Sequence, residues 1–341
     1  MSKFRIFFWV MIGVSFAGAE VLYVDKNISD GFWQDSYSEL NAALSEAREG
    51  DEIWVATGTY FPGGDRNGSF VLKAGIKTYG GFFGGETSRK DRDWVKNPTI
   101  LSGDIGVIGD YLDNSKHIVC YDGVLDKETV LDGFIIRDGY ADNGSNGAGM
   151  HLTGGAEPGI LNCHFVNNIS SGAGGAVYTE NGPLFERCLF EGNRAENGAA
   201  IYIPENNKQA GIPEIRRCTF VQNTARDGAA LYISKHAGVF VDSSLFWQNR
   251  DFSGISKTLY LDNRGKGSSS FQNSAIDEAG ISPGFQTNTV IYYQSHSAYG
   301  PFKDTVNYQI DKKSGIPQDY GWYYVPSPMV LNIRVFMEGP M

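Results

Sequence analysis

The chain has 341 residues, 43 of them glycine, and a formal net charge of −10. Glycine at about 13% against a usual ~7%, with no Gly-X-Y period and with 18 Tyr and 21 Phe, excludes collagen and disorder alike. The acidic balance argues against nucleic acid and anionic membranes as partners.

At the N-terminus, Lys3 and Arg5 precede an apolar run, Ile6 to Phe16, and Ala17-Gly18-Ala19 offers a small-residue cleavage site. This is the pattern of a secretory signal over residues 1–19, with an apolar run too short for a hydrocarbon core of ~30 Å. Its removal takes Lys3 and Arg5 from 29 basic residues against 39 acidic ones, for a mature net charge of −12. No later apolar segment is long enough to cross a membrane, so no membrane span is expected after cleavage.

Glu20 to Asp25 reads as a first strand. Ser36 to Arg48 reads as an amphipathic helix, with Ser36 and Glu39 as a capping box and Leu40, Ala43, Leu44 and Ala47 on one face. Gly50 stops it. Residues 51–56 form a strand with Thr57 to Tyr60 as its exit. Two short strands follow between Phe70 and Phe83, then a charged loop, Glu86 to Lys96. Further short strands lie at Ile100-Leu101, Ile118 to Cys120 and Val130-Leu131.

From there the chain repeats. Cys163-His164-Phe165-Val166-Asn167-Asn168, Cys188-Leu189-Phe190-Glu191-Gly192-Asn193, Cys218-Thr219-Phe220-Val221-Gln222-Asn223 and Ser244-Leu245-Phe246-Trp247-Gln248-Asn249 are four copies. Each leads to a small-residue run and an apolar–Tyr pair, ending at Tyr178, Tyr202, Tyr232 and Tyr260. Worn copies place further phase points at Gly133, with Ile135 and Asp138 in the key places, and at Ser274. Intervals of 25 to 30 residues mean a solenoid, and the period-2 segments make each copy a coil turn of parallel strands ~4.8 Å from the next.

Alternation sets the faces. Cys188 and Phe190 lie opposite Arg187 and Glu191, so Cys and Phe point inward. Ile201 and Ile203 point inward and Tyr202 outward. Three ladders are expected: inward Cys163/Cys188/Cys218, inward Phe165/Phe190/Phe220/Phe246, and Asn168/Asn193/Asn223/Asn249 bonded from turn to turn. The laddered cysteines lie within disulfide range, but two inward thiols at one height rarely have the required dihedral; buried reduced thiols are the expectation and a bridge the alternative. Residues 276–341 leave the repeat, are rich in aromatics, and include a strand-like alternation from Val330 to Met337. They read as a C-terminal cap or a small β-module, with residues 20–49 as the N-terminal strand and capping helix and residues 50–275 as the coil.

These motifs resemble the right-handed parallel β-helix repeats of pectin-lyase-like proteins, and most nearly the Phe-x-x-Asn and Gly-Gly-Ala-[Ile/Leu/Val] repeats of the chlamydial polymorphic outer membrane proteins. Phe165/Asn168, Phe190/Asn193, Phe220/Asn223 and Phe246/Asn249 carry the first motif, and Gly174-Gly175-Ala176-Val177 the second. The resemblance implies an all-β, single-stranded right-handed parallel β-helix, secreted by a bacterium or held at its cell surface or outer membrane. It leaves function open, because that superfamily mixes lyases, hydrolases and non-catalytic surface proteins.

For binding, the outward column Tyr178, Tyr202, Tyr232 and Tyr260 is the candidate: a flat aromatic strip suits stacked sugar rings, whereas a purely structural column would stabilise the sheet surface. Asp104, Asp110, Asp113 and Asn114 form an acidic loop that could collect oxygens around Ca²⁺, at a spacing no EF-hand has; turn-forming Asp is the alternative, and no cofactor is expected. For catalysis the material is Asp132, Asp138, Asp142, Asp242, Arg137 and His151, which form no recognisable signature. The expected function is therefore a secreted or cell-surface scaffold or adhesin-like binder of extracellular glycans or host and cell-surface components. The alternative is a polysaccharide lyase or glycoside hydrolase, which needs converging carboxylates and a basic residue.

Overall fold

A computed structural model describes residues 19–27, 33, 35–205, 211–262, 269–277, 290–293, 323–327 and 331–335. The expected signal segment and most of the aromatic tail lie outside the described residues. Four parallel sheets enclose one long core. The first has nine strands, from Val21–Val24 to Ser270–Gln272, and the second has nine, from Gly58–Tyr60 to Val290–Tyr293. The third is a four-stranded sheet, Tyr140–Ala141 to Thr224–Asp227, and the fourth has seven strands, Phe70–Val71 to Leu259–Leu261. One turn visits them in that order: Leu184–Glu186, Leu189–Glu191, Arg194–Asn197 and Ile201–Ile203. This is a parallel β-helix, as the repeat predicts.

Register confirms the inward ladders. Phe165, Phe190, Phe220 and Phe246 pair in sequence across the second sheet and are fully buried. Their rings stack at 5.0, 4.7 and 4.6 Å between centroids, each pair within 5° of parallel. On the opposing walls Ile160, Phe185, Ile215 and Val241 of the first sheet and Val177, Ile201 and Leu231 of the fourth complete the core. The worn copy at Gly133 is one residue out of phase. His164 pairs with Ile135 and Phe165 with Ile136, so Phe134 and Ile136 point inward while Ile135 points outward. Gly133 instead holds a left-handed corner (φ +84°) shared with Asn162, Arg187, Arg217, Ser243 and Asn273. The coil also runs further back, since Gly58 pairs with Thr99 and Thr99 with Phe134; Thr57 to Tyr60 thus enters a strand of the second sheet rather than simply leaving one.

The helix is shorter than the apolar pattern suggests, Leu40–Glu46. Tyr37 is drawn into backbone pairing with the first strand: its N–H donates to Tyr23, and its carbonyl accepts from Asp25. The chain stays extended there, so the expected cap does not form. Ser36 Oγ has no hydrogen-bond partner, and Glu39 stands at the N-cap without a side-chain bond. The apolar face survives: Leu40, Ala43, Leu44 and Ala47 are buried against Val24, Ile53 and Phe70. Lys73 Nζ donates to the carbonyls of Ser45 and Ala47 and so closes the helix C-terminus.

A buried asparagine must satisfy every polar atom internally. Here each does. The N–H and Nδ2 of Asn168 both donate to Asn193 Oδ1, at 3.0 and 3.1 Å. Asn193 repeats this on Asn223, and Asn223 on Asn249. The second Nδ2 proton goes to the preceding turn, from Asn168 to the Ile136 carbonyl and from Asn193 to that of Phe165, both at 3.0 Å. A third corner needs glycine: at Gly174, Gly198 and Gly228 φ lies between 59° and 67°, and a Cβ would come within 2.4 to 2.7 Å of the carbonyl three residues on.

The four cysteines are free thiols. Cys163, Cys188 and Cys218 are buried, and their sulfurs serve the adjacent corner: the Cys188 N–H donates to Cys218 Sγ at 3.4 Å. Ser244 and Ser274 continue the same bond higher up the column with Oγ at 3.1 Å.

Asn193→Ala leaves the Asn168 N–H unpaired in a dry core, at about 1–3 kcal/mol, and removes the side-chain bonds to Asn168, Asn223 and the Phe165 carbonyl, at about 0.5–1.5 kcal/mol each. Denaturant unfolding should show a loss of at least about 3 kcal/mol, and a change below about 1 kcal/mol would refute the ladder's role. Burial also raises the Cys163 thiol from 9.0 to about 12. As pH rises the unfolded chain ionises first, so the associated stability is intact below about pH 9 and is lost between about 9 and 12. Melting temperature should fall across that window. A thiol reagent at neutral pH should reach Cys163, Cys188 and Cys218 only after unfolding, and a mass gain of two daltons on reduction would disprove the free-thiol assignment.

Candidate functional site

The outward column of the fourth sheet is in register as expected: Tyr178 pairs with Tyr202, Tyr202 with Tyr232 and Tyr232 with Tyr260. All four are half-buried. Their rings do not lie flat on the sheet. Centroids stand 5.7, 5.0 and 4.4 Å apart with planes 11 to 22° from parallel, closer than rings could approach side by side. Each ring therefore covers its neighbour's face, in the offset stacking that aromatic quadrupoles favour. The stack continues below through His151, 5.2 Å from Tyr178, and His117, 5.0 Å from His151. The column presents ring edges and phenol oxygens to solvent, not a platform of faces.

Those oxygens are electrostatically unusual. Burial, the Glu180 carboxylate and the neighbouring Tyr202 push the Tyr178 phenol up to about 12. Burial, Tyr260 and Tyr202 raise Tyr232 as well. Below the Tyr stack, burial lowers the His117 pKa, and its Nδ1 sits 3.1 Å from the Gly147 carbonyl.

Beside this column opens a recess of about 380 Å³, lined by Tyr202, Tyr232, Glu205, Ser234, Lys235 and Asp262. Ser234 Oγ donates to the Tyr202 phenol at 3.1 Å, and Glu205 meets His236 at 3.1 Å. Sequence reasoning missed Glu205, Ser234, Lys235 and Asp262 because each lies just past a repeat motif rather than in it. The signal was present: they follow Ile203, Ile233 and Leu261, the last inward residues of three stacked strands, so their loops leave the coil at one corner.

A second groove of about 440 Å³ crosses the third sheet, between Tyr111 and Tyr140 on one side and Phe252 on the other, with Arg194 and Glu196 among its lining. Tyr111 packs edge-on to Tyr140 at 4.9 Å, and the Arg194 guanidinium lies 4.8 Å from the Phe252 ring centre.

The carboxylates considered for catalysis do not converge. Asp132 and Asp242 share a column of the first sheet but stand four strand spacings apart, about 19 Å. Asp132 binds Arg92 and accepts from Asn162. Asp138 pairs with Arg137 at 3.1 Å and is raised by burial; Asp142 is held low by Arg66 at 2.7 Å. His151 belongs to the aromatic stack. In the loop considered for Ca²⁺, Asp104 accepts from Gly109, Asp113 Oδ2 from Val107 and Asp110 from Leu112, while Asp113 Oδ1 and Asn114 Oδ1 have no hydrogen-bond partner. Among the described residues no three His, Cys, Asp or Glu side chains cluster as metal ligands, and no helix is long and apolar enough to cross a membrane.

A family model described as the right-handed beta helix region matches residues 110–281, just over half the chain. No curated protein and no solved structure matches it.

Alkaline titration followed by phenolate absorbance should reveal a late class of tyrosines, with Tyr178 ionising near pH 12. That class should shift down to the ordinary ~10 on unfolding. Loss of only the Tyr178 signal's delay in Glu180→Gln would identify the carboxylate's share.

Proposed function

Because this chain belongs to the right-handed β-helix family, we propose that it is an exported, cell-surface scaffold that binds extracellular glycans along its tyrosine column. The observation that carries this reading is the recess beside Tyr202 and Tyr232. It gathers acceptors (Glu205, Asp262), a cationic donor (Lys235) and groups that do both (Ser234 and two phenols) around one concave surface. A polyhydroxylated chain presents the same mixture and needs partners of both kinds. Because the Tyr rings occupy each other's faces, contact runs through their edges and hydroxyls, and Tyr178 and Tyr260 extend that contact along the coil axis. The strip's regular spacing fits a repetitive polymer better than a single small molecule.

A second reading, cleavage of such a polymer, also has an observation behind it: the recess brings two carboxylates and a lysine to one place. A glycosidase would use the carboxylates as acid and base or nucleophile, and an eliminase would need the lysine or a phenol as base.

One set of variants separates these readings. Tyr202→Phe/Tyr232→Phe keeps the ring stack and removes only the hydroxyls. Glycan-array affinity should fall about tenfold, from two lost hydrogen bonds of about 0.7 kcal/mol each, while melting temperature stays near that of the parent. Unchanged binding would remove the column from consideration. Release of reducing ends or of unsaturated product, abolished in Glu205→Gln or Asp262→Asn, would replace the binding reading with the enzymatic one.

A further inference from the structure

The outer face of the second sheet is not built like a solvent face. Alternation turns His164, Leu189, Thr219 and Leu245 outward in one column, and Val166, Glu191, Val221 and Trp247 in the next. Yet Leu189 is 2% exposed, Leu245 3%, Val221 0% and Trp247 6%. His164 is 4% exposed, with Nε2 3.1 Å from Glu191. Burial of outward side chains is not a general property of this coil. Val71 on the fourth sheet is 48% exposed, and the loop residues Ile108 and Phe252 remain largely in solvent. Something lies over this face, as Trp33 lies over Trp54 and Tyr79 on the first sheet.

The candidate cover is part of the same chain. Tyr323–Ser327 and Leu331–Val335 form an antiparallel hairpin that joins none of the four parallel sheets. Its first strand lies against Leu189–Glu191, in the middle of the buried outer patch. Five extended residues reach about 16 Å, enough for the three strand spacings, about 14 Å, from His164 to Leu245; the buried outward column continues below through Ile135 and Ile100.

We infer that the paired strands Tyr323–Ser327 and Leu331–Val335 are a strap over the outer face of the second sheet, covering Leu189, Val221, Leu245 and Trp247 of their own chain. An apolar, β-rich and regularly stacked face left open would be a template for association with other chains. The strap removes that hazard on one side of the coil and leaves the tyrosine column on the fourth sheet free. It is distinct from the glycan reading and does not depend on it.

The test is photo-crosslinking in the full chain. A benzophenone amino acid replaces Tyr324 in one variant and Val325 in another, so that both faces of the strand are sampled. Irradiation should give a monomeric adduct from at least one of them, mapping by mass spectrometry to peptides that contain 164–166, 189–191, 219–221 or 245–247. Adducts in a dimer band would mean that the face is covered by a second copy and would overturn the assignment. Adducts confined to the first, third or fourth sheet, or none from either position, would overturn it equally. As an independent check, Leu245→Asp at the patch should abolish the monomeric adduct, whereas Val71→Asp on the fourth sheet should leave it intact.

Discussion

The coil depends on the turn-to-turn amide ladder of Asn168, Asn193, Asn223 and Asn249. Parallel strands satisfy their own backbone, but the corners between them do not, and a corner that faces a dry core strands its N–H groups. Each asparagine meets that need with its N–H and one Nδ2 proton bonded forward to the next Oδ1 and the other Nδ2 proton bonded back. Because each bond requires the next turn at the same height, the ladder enforces register as well as stability. A shifted turn would lose all of it at once and leave buried amides unpaired, which gives the coil a steep preference for one stacking.

With register imposed, the side chains above and below any position are set, and the rest of the molecule follows. Identical residues come to lie at a strand spacing. For Phe that produces a nearly parallel inner stack, and for Tyr an outer stack of similar spacing. The same geometry has opposite consequences on the two sides. Inside, ring faces joined to each other fill the core. Outside, they withdraw the ring faces from solvent and leave exposed the edges, the hydroxyls and the polar loops at the adjoining corner.

Much of this architecture was legible in the residues. Repeat period, strand alternation and the Cys, Phe and Asn ladders all follow from matching Cys-x-Phe-x-x-Asn to itself, because stacked turns place like on like. The parts that were not legible share a cause: they depend on neighbours that the pattern does not contain. Ser36 is a good helix cap by type, but Tyr37 pairs with the first strand and holds the chain extended. Gly133 looks like a Cys equivalent, but the corner before Cys also accepts glycine, so the copy could be read one residue out. The ring planes of the Tyr column depend on spacing and side-chain rotation, which composition does not record. Glu205, Lys235 and Asp262 lie in loops of unequal length, where the repeat gives no alignment. The apolar outer face of the second sheet could be seen in Leu189, Leu245 and Trp247, but its meaning required knowing that those side chains are covered.

The interchangeable corner bond has a genealogical consequence. Cys218 Sγ, Ser244 Oγ and Ser274 Oγ perform the same act for the turn beneath them. These three junctions of the coil are thus chemically alike, and a turn duplicated among them would meet its neighbours through bonds already in use. Such a molecule can lengthen or shorten by whole units during descent while only its ends must be reinvented. The length of its outer surface then follows from the number of turns retained.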